Sequence, residues 1–100
     1  MLDVLNMLNG TTNDMGNYDS RKVARDDVKG ITVSTAYTTD CGYETALLDK
    51  NGVHPVERYA DRKTAVTGHA AWKKKAATLK TITKLGYGNS IPDKQVTLVR

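Results

Sequence analysis

The sequence is poor in the residues from which reactive or cross-linked sites are built. It holds one cysteine and two histidines. A single Cys41 excludes an internal disulfide and fits a reducing compartment. One cysteine and two histidines also fall short of the four Cys/His ligands of a structural zinc site. Phenylalanine is absent and tryptophan occurs once, so the core must lean on Val, Leu, Ile and Ala. No stretch approaches the roughly 20 apolar residues of a membrane span, and no membrane partner is expected. The opening "MLDVLNMLNG" is apolar but has no basic leader, and Asp3 and Asn6 interrupt it. It is not read as a signal peptide, and the chain is expected to be soluble where it is made.

What is present suits one globular domain of 100 residues, 39% hydrophobic and 26% charged. Fifteen Lys plus Arg against eleven Asp plus Glu give a net charge of +4. This balance is mildly basic and only weakly supports nucleic acid as a partner, since dedicated binders cluster their charge more. "GYG" at 86–88 is not a phosphate loop, because the lysine and Ser/Thr of that motif do not follow it.

Periodicity sets out the fold. Residues 1–10 form an apolar arm carrying Leu2, Val4, Leu5, Met7 and Leu8, with helical spacing and a stop at Gly10. A helix this short does not persist alone in water, so the arm is expected to dock on a partner or on its own domain. Residues 11–19 read as a linker and 20–100 as a single domain. Within the domain, 21–26, 31–38, 43–49 and 53–59 alternate as strands, with "KNG" at 50–52 a strong hairpin signal. Pro55 puts the last of these strands at an edge, or turns its nitrogen outward. Asp61 caps a helix over 61–79, whose stripe is Ala65, His69, Trp72, Ala76 and Leu79. Gly68 inside it points to close approach of helix and sheet. Residues 81–85 and 95–99 alternate again around a turn-rich loop, and 81–85 is left open to pairing with 95–99 or joining the main sheet. The expected class is α+β: an antiparallel meander of about four strands, one long helix on one face, and C-terminal strands.

The candidate sites are few. In "VHPVERY", strict alternation places His54, Val56 and Arg58 on one face and Pro55, Glu57 and Tyr59 on the other. A local His54–Glu57 acid–base pair is thereby disfavoured. Glu44 facing Arg58 across the turn is expected as an ion pair contributing a few tenths to about 1 kcal/mol. These four residues read as a structural hairpin rather than a catalytic site. His69 and Trp72 read as the core anchor of the helix. Cys41 sits in a turn without a base or a helix N-terminus, which a nucleophilic thiolate wants. Lys73, Lys74 and Lys75, with Arg62, Lys63 and Lys80, make one helix side basic, either a solvated face or a contact surface. No cofactor, metal or catalytic residue is implied, and a non-enzymatic binding or structural protein is expected.

The series "RKVARD", "VSTAYTTD–GYETALLD", "NGVHPVERY", "GHAAW" and "TKLGYG" resembles a family of small proteins encoded by tailed bacteriophages and prophages, from about Tyr18 onward. One departure is "DRKTAVTGH", where the family tends to carry acidic residues; here the first helical turn lacks that complement to the dipole. The resemblance supplies no catalytic residues. It implies a minor virion or assembly component of head, neck or tail, acting on other virion proteins as an oligomer or part of a larger assembly. Its place would be the virion, and the host cytoplasm during assembly. The alternative is a host-takeover or anti-defence protein binding a host protein, nucleic acid or nucleotide ligand.

Overall fold

The computed structural model describes residues 21–88 and 90–100; the apolar arm and the linker lie outside them. The class is α+β. Strands β1 (Lys22–Val28), β2 (Ile31–Thr38), β3 (Gly42–Asp49) and β4 (Gly52–Tyr59) form an antiparallel sheet in chain order, and helix α1 (Arg62–Ala76) lies across it in contact with all four. Strands β5 (Thr81–Lys84) and β6 (Lys94–Thr97) pair with each other, separately from that sheet.

Local chemistry explains each junction. The β1–β2 turn consists of Lys29 and Gly30 at φ 48 and 87, positive at both positions as a type I′ hairpin requires. The first strand consequently runs two residues further than the expected 26. Asp61 caps α1 by accepting the Thr64 amide at 2.8 Å. The helix ends at Ala76, earlier than the expected 79, and Leu79 reaches the core from beyond its end. The freed carbonyls of Ala76 and Leu79 each accept from the Arg100 guanidinium at 2.6 Å.

Two bulges interrupt strict alternation, and the one on β4 corrects the face assignment made for "VHPVERY". Lys22 pairs with Ala36 but Ala24 with Thr35, so Val23 is extra and Lys22 and Ala24 lie on opposite faces. On β4, His54 pairs with Leu47 and Glu57 with Thr45. Leu47 and Thr45 share the helix-covered face, so His54 and Glu57 share it too, with Val56 as the extra residue. Arg58 points to the outer face, opposite Glu44 as expected.

The interior has two ends. The apolar end holds Ile31, Val33, Leu47, Val56, Ala76, Ile82 and Leu98, rimmed by Val28, Trp72, Leu79 and Val96. The β5–β6 ribbon and the residue after it close this end, since Ile82 and Val96 lie on the ribbon and Leu98 directly follows β6. The other end, still under the helix, is filled by Thr35, Thr45, His69 and Tyr59. Trp72 is half-buried, so the deeply buried side of the helix is Ala65, His69 and Ala76. Trp72 is therefore an outer buttress, and His69 is the anchor of the expected pair.

Candidate functional site: a polar thread under the helix and a groove outside

Gly68 lets the helix come down onto β4. A Cβ at this position would fall on the hydroxyl end of the Tyr59 ring, so only glycine admits the phenol beneath α1. That contact is the close approach expected of Gly68.

The Tyr59 oxygen lies 2.9 Å from Thr45 Oγ1 and 3.1 Å from Glu57 Oε1. Thr45 Oγ1 is 2.5 Å from Thr35 Oγ1, which is 2.7 Å from His69 Nδ1. His69 Nε2 is 2.8 Å from Asp26 Oδ2, and Lys73 Nζ stands 3.7 Å from the same oxygen. The Trp72 indole N–H donates to Glu57 Oε1 at 2.7 Å. These contacts form one thread from β1 to β4, between sheet and helix. Its middle is sealed, with Thr35 and Thr45 at 0% exposure and His69 at 4%. Its ends, Asp26 and Glu57, reach solvent. The hydrogen bond with His69, helped by Lys73 and opposed by desolvation, holds the Asp26 carboxyl below its ordinary range. Burial pushes the Tyr59 phenol up to about 12; Glu57 adds to the shift and the Thr45 bond opposes it.

His54 lies under the same face, 4% exposed, with Nε2 on Asp49 Oδ1 at 2.9 Å and Nδ1 buried without a hydrogen-bond partner. Asp49 is a knot: the same oxygen accepts the Asn51 and Gly52 amides at 2.8 and 3.1 Å, and Oδ2 accepts the Val99 amide at 2.9 Å. Desolvation works against the carboxylate, but the Val99, His54 and Asn51 bonds outweigh it and bring Asp49 down to about 2.

On the outer face, Arg58 Nε donates to Glu44 Oε2 at 2.9 Å and Nη2 to the Gly86 carbonyl at 3.1 Å. The guanidinium lies 5.9 Å from the centre of the Tyr87 ring. The hydrogen bond to Glu44, opposed by desolvation and helped by the nearby Cys41, Glu44 and Asp93, raises the Arg58 pKa. Leu85 donates its amide to the Pro55 carbonyl at 2.8 Å on the edge strand, which pins the 85–91 loop beside β4. A groove of about 410 Å³ results, walled by Pro55, Leu85, Tyr87 and Ile91 with Arg58 and Glu44 at one side. Tyr87 also donates its hydroxyl to Asp40 at the rim. Cys41 lines this groove on the same wall as Arg58.

The structure thus scatters the hairpin candidates. Glu44 and Arg58 meet outside, Glu57 joins the inner thread, and His54 belongs to the Asp49 knot. The basic helix side is partly engaged, with Lys73 near Asp26 and Lys75 Nζ 4.5 Å from the Trp72 ring centre. Sequence reasoning missed Asp26, Thr35, Thr45, Tyr59 and Asp49. Two signals were available. Thr35 occupies a core-facing position in the alternation of "ITVST", and a polar residue there needs a partner. Asp49 precedes "KNG", where a carboxylate commonly accepts amides two and three residues on.

Among the described residues, no group of three or more His, Cys, Asp or Glu side chains is placed to hold a metal ion, and no helix is long and apolar enough to cross a membrane. Comparison with known proteins found no matching family model, no similar curated protein and no similar solved structure.

Proposed function

We propose that this chain is a non-enzymatic bacteriophage protein working through protein–protein contacts, as a minor virion or assembly component. The observation that carries the contact role is the outer face. Val53, Tyr87 and Ile91 are 56%, 44% and 56% exposed, and Tyr87 and Ile91 wall the groove whose floor includes Pro55. Val53 and Pro55 share the outer side of β4, so the apolar surface continues from groove to sheet. A patch of large apolar side chains rimmed by an ion pair suits burial against another protein. The non-enzymatic part is supported by how the candidate acid–base groups are spent: both His69 nitrogens, Glu57 and Asp49 hold internal structure. The phage assignment rests on the motif resemblance.

The test is particle composition. Ile91→Asp alters a side chain that is 56% exposed and outside the core, so the fold is expected to be retained while the patch gains a charge. The expected result is that the unaltered protein appears by mass spectrometry in purified particles and the Ile91→Asp form does not. Recovery of the protein only with host components, and never in particles, would replace the virion reading with host takeover.

A further inference from the structure

The polar thread under α1 contains a hydrogen deficit that can be counted. Five contacts join Asp26, His69, Thr35, Thr45, Tyr59 and Glu57 in sequence, all within hydrogen-bond distance. Each contact needs one hydrogen between its two heavy atoms. With both carboxylates ionised and the imidazole singly protonated, the thread supplies one hydrogen each from His69, Thr35, Thr45 and Tyr59. Four hydrogens cannot serve five contacts. Without a fifth, two lone pairs face each other across one link, and every link has at least one buried member, whose unsatisfied polar atom is costly.

We propose that the thread is a proton-linked latch: the folded chain takes up one proton that closes the row of hydrogen bonds and seats the helix on the sheet. The proton has two end positions. On Glu57, the carboxylic O–H donates to Tyr59, Tyr59 to Thr45, Thr45 to Thr35, and Thr35 to His69 Nδ1, while His69 Nε2–H donates to Asp26. Moving the four hydrogens between Glu57 and His69 each across its own link, with the Nε2–H left in place, transfers the proton from Glu57 to His69. The imidazolium then donates to Asp26 and Thr35, and the three hydroxyls point the other way towards an ionised Glu57. No atom or charge is gained or lost between the two arrangements. The groups facing this row are Asp26 from β1, Lys73 and Trp72 from α1, and Tyr59 and Glu57 from β4; Thr35 and Thr45 do not titrate. Lys73 opposes a cationic His69, while Asp26 stands between them and favours it. Solvent reaches both ends, so the proton has a way in and out.

The test is the pH dependence of the folding equilibrium measured by urea unfolding. If the native state holds one more proton than the unfolded state, the folding constant falls tenfold per pH unit as pH rises, here between about pH 7 and 8, above the ordinary histidine range. Two variants separate the latch from any other titrating group. Thr45→Val leaves the contacts Asp26–His69, His69–Thr35 and Tyr59–Glu57, for which three hydrogens suffice, so no extra proton is needed. Glu57→Ala, at an exposed position, removes the fifth contact, so the four hydrogens close the remaining four links without a proton. The expected result is a steep dependence in the wild type and a flat one in both variants. His54 is common to all three proteins and cancels. A flat wild-type profile, or the same slope surviving in either variant, overturns the latch.

Discussion

Threonine lines both faces of the β1–β4 sheet, and the two sets do different things. On the covered face, Thr35 and Thr45 bond to each other, and Thr35 to His69, across ten and 34 residues of sequence. On the outer face, Thr32 bonds Asp27 five residues away and Thr38 bonds the Gly42 carbonyl and Cys41 amide within four. The inner bonds exist only when strand, strand and helix are assembled; the outer ones trim local turns that water serves nearly as well. The same hydroxyl is therefore a tertiary element on one side and a local one on the other. Burial makes the difference, because a sealed oxygen that loses its partner finds no substitute.

That contrast is tested most severely by neighbouring leucines. Leu47 is fully buried on the covered face, and Leu48 lies half-buried on the outer face, paired with Thr32 and Val53. Leu47→Ala is expected to cost about 2–5 kcal/mol, a large share of the stability of a domain this size. Leu48→Ala is expected to cost about 1 kcal/mol or less. Chemical denaturation of the two variants measures both. Equal losses would mean that the outer face is covered as deeply as the inner one.

Gly68 sharpens the comparison by reversing a sign. On a solvent-facing helix position, glycine to alanine stabilises by roughly 1 kcal/mol. Here the added methyl falls on the Tyr59 hydroxyl end, so Gly68→Ala is expected to destabilise by about 1–3 kcal/mol, as overpacked cores do. Thermal melting reads the direction directly. A raised melting temperature would show that the helix sits further from β4 than described.

Acid separates the Asp49 knot from the rest. Asp49 falls to about 2 in the folded chain against an unfolded value of 3.8. A depressed carboxylate contributes stability that is complete above its unfolded value and is lost as pH falls through the folded one. The wild type is thus expected to lose stability between about pH 4 and 2. Asp49→Asn, weaker at neutral pH, should lose less over that interval. Parallel acid profiles for the two proteins would remove Asp49 from the knot.

The strands, their order and the helix were legible in the sequence because alternation and the "KNG" and Asp61 signals are local. The Glu44–Arg58 pairing was legible for the same reason, since a hairpin's register follows from its turn. The inner thread was not. Alternation counts residues, and a bulge inserts one without altering the composition around it; Val56 thereby moved Glu57 to the covered face. Asp26 and His69 are 43 residues apart, and no short-range pattern encodes that meeting. Trp72 was overrated because size suggests an anchor, whereas Gly68 brings the helix so close that small Ala65 and Ala76 take the deep positions.

The smallest expected effect lies at the outer ion pair. Arg58 and Glu44 side chains are 31% and 18% exposed, and such pairs contribute at most about 1 kcal/mol, less as salt rises. Glu44→Gln keeps an oxygen for Arg58 Nε, so it removes the charge while retaining the hydrogen bond. Its cost should therefore stay below about 1 kcal/mol and shrink towards zero in about 1 M salt. Arg58→Ala is not its equal, because the guanidinium also holds the Gly86 carbonyl and lies beside Tyr87. It should loosen the 85–91 loop, visible as faster amide exchange at Leu85 and Tyr87, whose amides bond Pro55 and Ile91. If Glu44→Gln alone costs more than about 2 kcal/mol at any salt concentration, the pair is sealed from water rather than exposed. The outer face would then be a second interior, and the division between a tertiary and a local side of the sheet would fail.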